Sequence, residues 1–175
     1  MRRYVLPVLL ALFLSPVAGA DTGEQAEVTV ETIPDDITVV GLEYTGPDPT
    51  GVAEVWTGLF ERMDEIPGAA ITDPGYGILL DIDEMSGQFT YMAGVQADLE
   101  GAPPEGMREL TLPAGEYAVF TFEFAILMDV VDYIYQTWLP ESGYSYGPGL
   151  DYEYYPTDFD PSDEHSEMQI YMSIQ

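Results

Sequence analysis

The chain has 175 residues, with 32 acidic against 4 basic side chains, a net charge of −28 at neutral pH and no cysteine. That balance excludes nucleic acid as an expected partner, because phosphate binding needs a basic footprint, and it disfavours anionic membrane surfaces. The missing cysteines exclude disulfides and thiolate metal sites. Such acidity can signal disorder, but 46% apolar and 13% aromatic residues supply a core. The charge is read as a hydrated surface suited to salty surroundings, as a field that concentrates cationic ligands, or as both.

Arg2 and Arg3 form a short basic start, Tyr4 to Val17 is almost unbroken apolar sequence, and Ala18-Gly19-Ala20 is a small-residue cleavage site. This is the layout of a secretory signal peptide over residues 1–20, cleaved after Ala20. The apolar run is short for a spanning helix, which needs roughly 20 residues, so no integral membrane span is expected after cleavage. The mature chain would lose both arginines, taking −28 to −30, and would reside in the periplasm or be secreted. Residues 21–36 follow as an acidic, flexible segment, with Asp21 to Glu31 polar and aperiodic. One domain is expected over 37–175.

Ile37 to Tyr44 is β-branched and apolar, a strand ended by Gly46-Pro47-Asp48-Pro49. Val52, Val55, Trp56, Leu59, Phe60, Met63 and Ile66 lie on one helical face, with Thr50 as N-cap and Pro67-Gly68 as the stop. Gly75 to Asp83 and Gln88 to Asp98 are two β runs close enough to form a hairpin. After Pro103-Pro104-Glu105-Gly106 the order repeats. Gly115 to Phe124 is a strand, and Leu127, Val130, Val131, Ile134 and Trp138 form a helical stripe. Leu150 to Tyr155 and Glu167 to Ile174 are strands, the last alternating apolar and polar.

The expected fold is therefore α+β, a tandem β-α-β-β repeat. Each half is a three-stranded antiparallel sheet with one helix. Neither half is large enough to bury its own sheet, so the two combine into one domain with a central ligand cleft.

Glu153 stands out because it shares a β run with Tyr152, Tyr154 and Tyr155. A partly buried carboxylate there is costly unless paired. An organic cation supplies that charge, and each tyrosine face adds about 0.5–2 kcal/mol of cation–π attraction. The alternative is an exposed edge-strand glutamate. Tyr91, Tyr117, Tyr133 and Tyr155 are wall candidates, since each offers an apolar face plus a hydroxyl. Trp138 joins them or packs in the core; Trp56 and Phe60 are expected in the core. Asp158 to His165 is oxygen-rich but lacks EF-hand spacing, so it reads as a solvated loop. With His165 the only histidine, no histidine metal cluster or Ser-His-Asp triad is expected, and neither metal nor cofactor is assigned. Acid–base chemistry by a carboxylate and a tyrosine stays open, although binding without catalysis is the expectation.

Five stretches carry a resemblance: Tyr91-Met-Ala-Gly-Val95, Leu112-Pro-Ala-Gly-Glu-Tyr-Ala-Val-Phe120, Trp138-Leu-Pro-Glu-Ser-Gly-Tyr144, Tyr152-Glu-Tyr-Tyr155 and Met168-Gln-Ile-Tyr-Met-Ser-Ile174. In this order and spacing the chain resembles the GyrI-like small-molecule-binding domain, also called the AraC-type effector-binding domain. The resemblance implies the tandem fold and a pocket for amphipathic, often cationic compounds. It places the family's ligand-contacting glutamate on Glu153 and its motif tyrosine on Tyr155. Some relatives hydrolyse cyclopropane-containing compounds, which sets an alternative: a hydrolase in which Glu153 and a tyrosine activate water. A further alternative is a non-catalytic envelope protein that binds a protein partner. Two departures shape the expectation. No helix-turn-helix segment is seen before the domain, which argues against a transcriptional regulator, as export argues against gyrase inhibition. Thr121-Phe-Glu-Phe124 also stands where relatives carry a polar residue and a glycine. The expected function is an exported binder of small amphipathic, cationic or aromatic molecules.

Overall fold

The computed structural model describes residues 26–83 and 85–175, so the signal-peptide reading of 1–20 lies outside the described residues. Eight strands are formed: β1 Glu27–Ile33, β2 Ile37–Gly46, β3 Gly75–Asp83, β4 Gln88–Gln96, β5 Arg108–Leu112, β6 Gly115–Glu123, β7 Tyr152–Tyr155 and β8 Glu167–Ile174. All pair antiparallel in one sheet of order β1-β6-β8-β7-β3-β4-β2-β5. The expected two three-stranded sheets are thus one sheet of four strands plus four, joined where β3 meets β7.

Two connections force that sheet to curl. β1 and β2 stand six places apart in the order but are linked by residues 34–36 alone. In a flat sheet six spacings amount to about 29 Å, whereas the link reaches about 14 Å at most. β5 and β6 are six places apart too, with only residues 113–114 between them. The two edges therefore converge at the end where Ile33 pairs with Gly115 and Ile37 with Leu112. Asp36 Oδ1 accepts the Ala114 N–H there at 2.8 Å. The result is a half-barrel with an inner face and an outer face.

Helices cover the outer face. α1, Thr50–Glu61, lays Val52, Val55 and Leu59 on Val40, Phe89, Ala93 and Val95. Thr50 begins this helix rather than capping it: the cap position is Pro49, and Asp48 Oδ1 accepts the Thr50 N–H at 2.9 Å. Phe60, expected in the core, is 45% exposed. α2, Leu127–Tyr133, lays Leu127, Val130 and Val131 on Ala118, Phe120, Met168 and Met172. A π-turn, Ile134–Trp138, carries it into α3, Leu139–Ser142, which ends at Gly143. Pro140 has no N–H to return to the preceding turn, and widening that turn absorbs the loss. The inner face holds Val39, Ile78, Met92, Val119 and several tyrosines.

The segment expected to be flexible over 21–36 contains β1, paired along its length with β6. Its apolar side is short, Val28 against the α2-side core and Val30 at 45% exposed, set between the polar Glu27, Thr29 and Glu31. β5 was likewise not foreseen.

Candidate functional site

Glu153 lies on β7 at the seam, paired with Gly77 of β3. Its side chain is on the outer face, between the areas covered by α1 and α2. Tyr91, two strands away on β4, donates its hydroxyl to Glu153 Oε2 at 2.8 Å. Tyr155 donates to the same oxygen, also at 2.8 Å. Trp56 of α1 completes the chain by donating Nε1–H to the Tyr91 hydroxyl at 3.2 Å. Its ring meets Tyr155 edge-on at 5.3 Å, and Tyr155 in turn meets Phe159 at 4.8 Å.

Glycine makes room for this convergence. A Cβ at position 77 would collide with both the Tyr91 hydroxyl and Glu153 Oε2, and one at position 75 would stand 2.8 Å from the Trp56 ring. Glycine inside a strand marks such close approach. Gly75-Tyr76-Gly77 was therefore a readable signal of the site floor that sequence reasoning did not use.

The electrostatics follow from burial. Desolvation raises the Glu153 carboxyl above its ordinary value, opposed by the Tyr155 and Tyr91 hydrogen bonds. Tyr91 and Tyr155 are raised well above the usual phenol value, first by desolvation and then by the Glu153 charge. Both phenols stay neutral donors. Among the described residues nothing donates to Glu153 Oε1, and none of them has a sealed side-chain oxygen without a partner. Oε1 therefore opens onto accessible space, and the residue keeps partial exposure. The arrangement is a fixed, half-desolvated anion with one free oxygen and aromatic walls, which suits a bound cation.

Of the expected site residues, Glu153, Tyr155 and Tyr91 come together. Tyr117 does not: it lies on the inner face, 1% exposed, with its hydroxyl donated to Pro113 O at 2.8 Å. Tyr133 is half-buried on the α2 side. Trp138 stacks on Tyr144 at 6.0 Å and meets Phe120 edge-on at 5.1 Å, also in that cluster. Trp56, expected in the core from its stripe, packs against the α1-side core half-buried and also joins the hydrogen-bonded network.

A second acid was missed. Asp151 accepts Tyr135 Oη at 2.8 Å on Oδ2, which Tyr146 also approaches, and the Ser173 N–H at 2.9 Å on Oδ1. Burial pushes its carboxyl up to about 6, against the Ser173 and Tyr135 hydrogen bonds. Both oxygens are occupied, so Asp151 anchors the loop before β7 rather than offering a free charge.

The model of the GyrI-like small molecule binding domain matches residues 26–175. The chain is 36% identical over 141 residues to the transcriptional regulator BrlR of Pseudomonas aeruginosa, covering 78% of this chain and 51% of that protein. It thus spans about half the length of this relative. Among solved structures, SAV2435 bound to tetraphenylphosphonium superposes with a TM-score of 0.61 at 19% identity, over 85% of this chain and 94% of that one. The EcmrR C-terminal domain superposes with a TM-score of 0.66 at 14% identity, over 86% and 98%. At these identities the likeness is one of fold.

Proposed function

Since the chain belongs to the GyrI-like small molecule binding domain family, we propose that it binds organic cations on the outer face of the sheet, between α1 and α2. Glu153 is the counter-charge, and Trp56, Tyr91 and Tyr155 are the walls. One observation carries this reading: Oε2 of Glu153 is held by two phenols while Oε1 is left free among aromatic rings. A bulky aromatic cation gains cation–π contacts there without needing hydrogen-bond donors. The net charge of −28 raises the local concentration of such ligands. The strand order, which reads alike from either edge toward the β7–β3 seam, supports two β-α-β-β halves with the site between them. The basic start, apolar run and Ala18-Gly19-Ala20 of the N-terminus support an exported location.

Tetraphenylphosphonium, the compound bound in the SAV2435 structure, is the probe of choice. Titration calorimetry at high salt, where nonspecific attraction is screened, should give saturable binding that Glu153→Gln weakens at least about tenfold, or about 1.4 kcal/mol. Equal affinity in the variant overturns the assignment of Glu153.

A further inference from the structure

The inner face of the half-barrel carries five tyrosines that the outer site does not use. Tyr76, Tyr152, Tyr171 and Tyr154 form a closed circuit of rings, with successive centroids 5.9, 4.7, 6.0 and 5.5 Å apart. Tyr117 packs against Tyr152 at 5.6 Å and Tyr171 at 6.2 Å. Tyr76 and Tyr152 are only 5% and 4% exposed. Even so, their hydroxyls and that of Tyr154 have no partner among the described residues. None of these oxygens is sealed, so the rings are buried while their tips meet accessible space. These are polar tips that open from the inner face of the half-barrel.

Two of the five phenols on this face have already committed their protons. Tyr171 commits its proton to Gln169 Oε1 at 3.3 Å, and Gln169 Nε2 commits to Thr121 Oγ1 at 3.0 Å. Tyr117 has given its proton to Pro113 O. What remains is the unpartnered hydroxyls of Tyr76, Tyr152 and Tyr154, each able to accept or donate, the Tyr171 lone pairs and the Glu31 carboxylate on β1. Glu31 pairs with Tyr117 across the ladder and receives Thr29 Oγ1 at 3.1 Å. Its charge helps to raise Tyr152 and Tyr171, both lifted first by desolvation, Tyr171 to about 12. Tyr76 is raised likewise to about 12. The phenols are neutral at working pH, and neither described arginine is free to serve here: Arg62 is bound to Glu65 and Arg108 to Glu43.

We propose that this inner face carries a second, separate site for a small ammonium ligand bearing N–H donors, with Glu31 as counter-charge and the hydroxyls of Tyr76, Tyr152 and Tyr171 as acceptors. It differs from the outer site in chemistry. The outer site offers one free carboxylate oxygen among ring faces and edges, whereas the inner face offers several hydroxyls at the tips of packed rings. A linear amine fits the second, and a donor-free aromatic cation fits the first. The proposal does not rest on Glu153.

The test is calorimetric titration of the whole protein with 1,4-diaminobutane at about 0.5 M salt, where surface attraction is screened within a few ångströms. Saturable binding is expected, weakened at least tenfold by Tyr152→Phe and by Glu31→Gln, unchanged in Glu153→Gln, and not displaced by tetraphenylphosphonium. The phenylalanine variant keeps the ring and removes only an unpartnered hydroxyl, and Glu31 is an exposed side chain, so neither change threatens folding. Absence of saturable binding at that salt overturns the proposal. So does binding that survives both substitutions, or binding abolished by Glu153→Gln.

Discussion

Tyr91 and Glu153, 62 positions apart in the chain, meet at 2.8 Å across the β3–β7 seam, with the Tyr91 hydroxyl donating to Glu153 Oε2. The pair ties the first four-stranded half to the second through a side-chain bond as well as through the β3–β7 ladder. Tyr91→Phe keeps the ring but leaves the Trp56 N–H and one lone pair of Glu153 without a partner. A loss of about 1–3 kcal/mol is expected in urea unfolding. With Tyr155→Phe the double variant should deviate from additivity, because both hydroxyls serve one oxygen. Strict additivity would mean that the two bonds act independently.

Gly77→Ala is the sharper structural test. The added methyl would occupy the space held by the Tyr91 hydroxyl and Glu153 Oε2. Overpacking of this kind costs typically about 1–3 kcal/mol. The carboxylate must also move, so tetraphenylphosphonium affinity should fall by more than the stability change alone explains. Gly68→Ala is a useful comparison, since it meets no neighbour and is strained only through its φ of 81°. It should lose stability while keeping affinity. If both variants bind alike, the glycine floor does not position the site.

Much of this was legible in the sequence, and the reasons for the rest are physical. The α1 stripe, the β3–β4 hairpin and the alternation of β8 each had one apolar side, which periodicity detects. β1 is harder to read because only Val28 and Val30 form its apolar side, a two-residue alternation at the end of an acidic stretch. Glu153 and Tyr155 share a face because they are two apart in a strand. Tyr117 was grouped with them because nothing local tells which side of β6 meets which side of β7. That follows from the strand order, which short connections and curling determine. Tyr135 lies inside the π-turn, where helical spacing no longer predicts which way a side chain points.

Asp151 makes stability depend on pH. Its folded carboxyl titrates at about 6, above the ordinary value of about 4, so between these limits the folded chain binds more protons than the unfolded one. Its contribution is fully present below pH 4 and is lost as pH rises through about 6. A shift of this size corresponds to something on the order of 2–3 kcal/mol. Surface repulsion among the 32 acids acts in the same direction, which is why Asp151→Asn is needed beside the wild type. The variant should show a shallower rise in urea midpoint on acidification from pH 7 to pH 4. Identical slopes would relieve Asp151 of this role.

The raised Glu153 carboxyl links cation binding to pH as well. Desolvation favours its neutral form, opposed by the Tyr155 and Tyr91 hydrogen bonds, whereas a cation at Oε1 favours the charged form. Binding therefore draws the titration down and releases a proton as pH falls through the raised value. Tetraphenylphosphonium affinity should be flat above that raised value and weaken as pH falls through it. Below the titration of the free protein the limit is about tenfold per pH unit. In Glu153→Gln the profile should be weak and level, because no proton competes with the ligand. Calorimetry in two buffers of different ionisation enthalpy reads proton release directly. Release in the wild type and none in the variant identifies Glu153 as the counter-charge; equal release in both places the titrating group elsewhere.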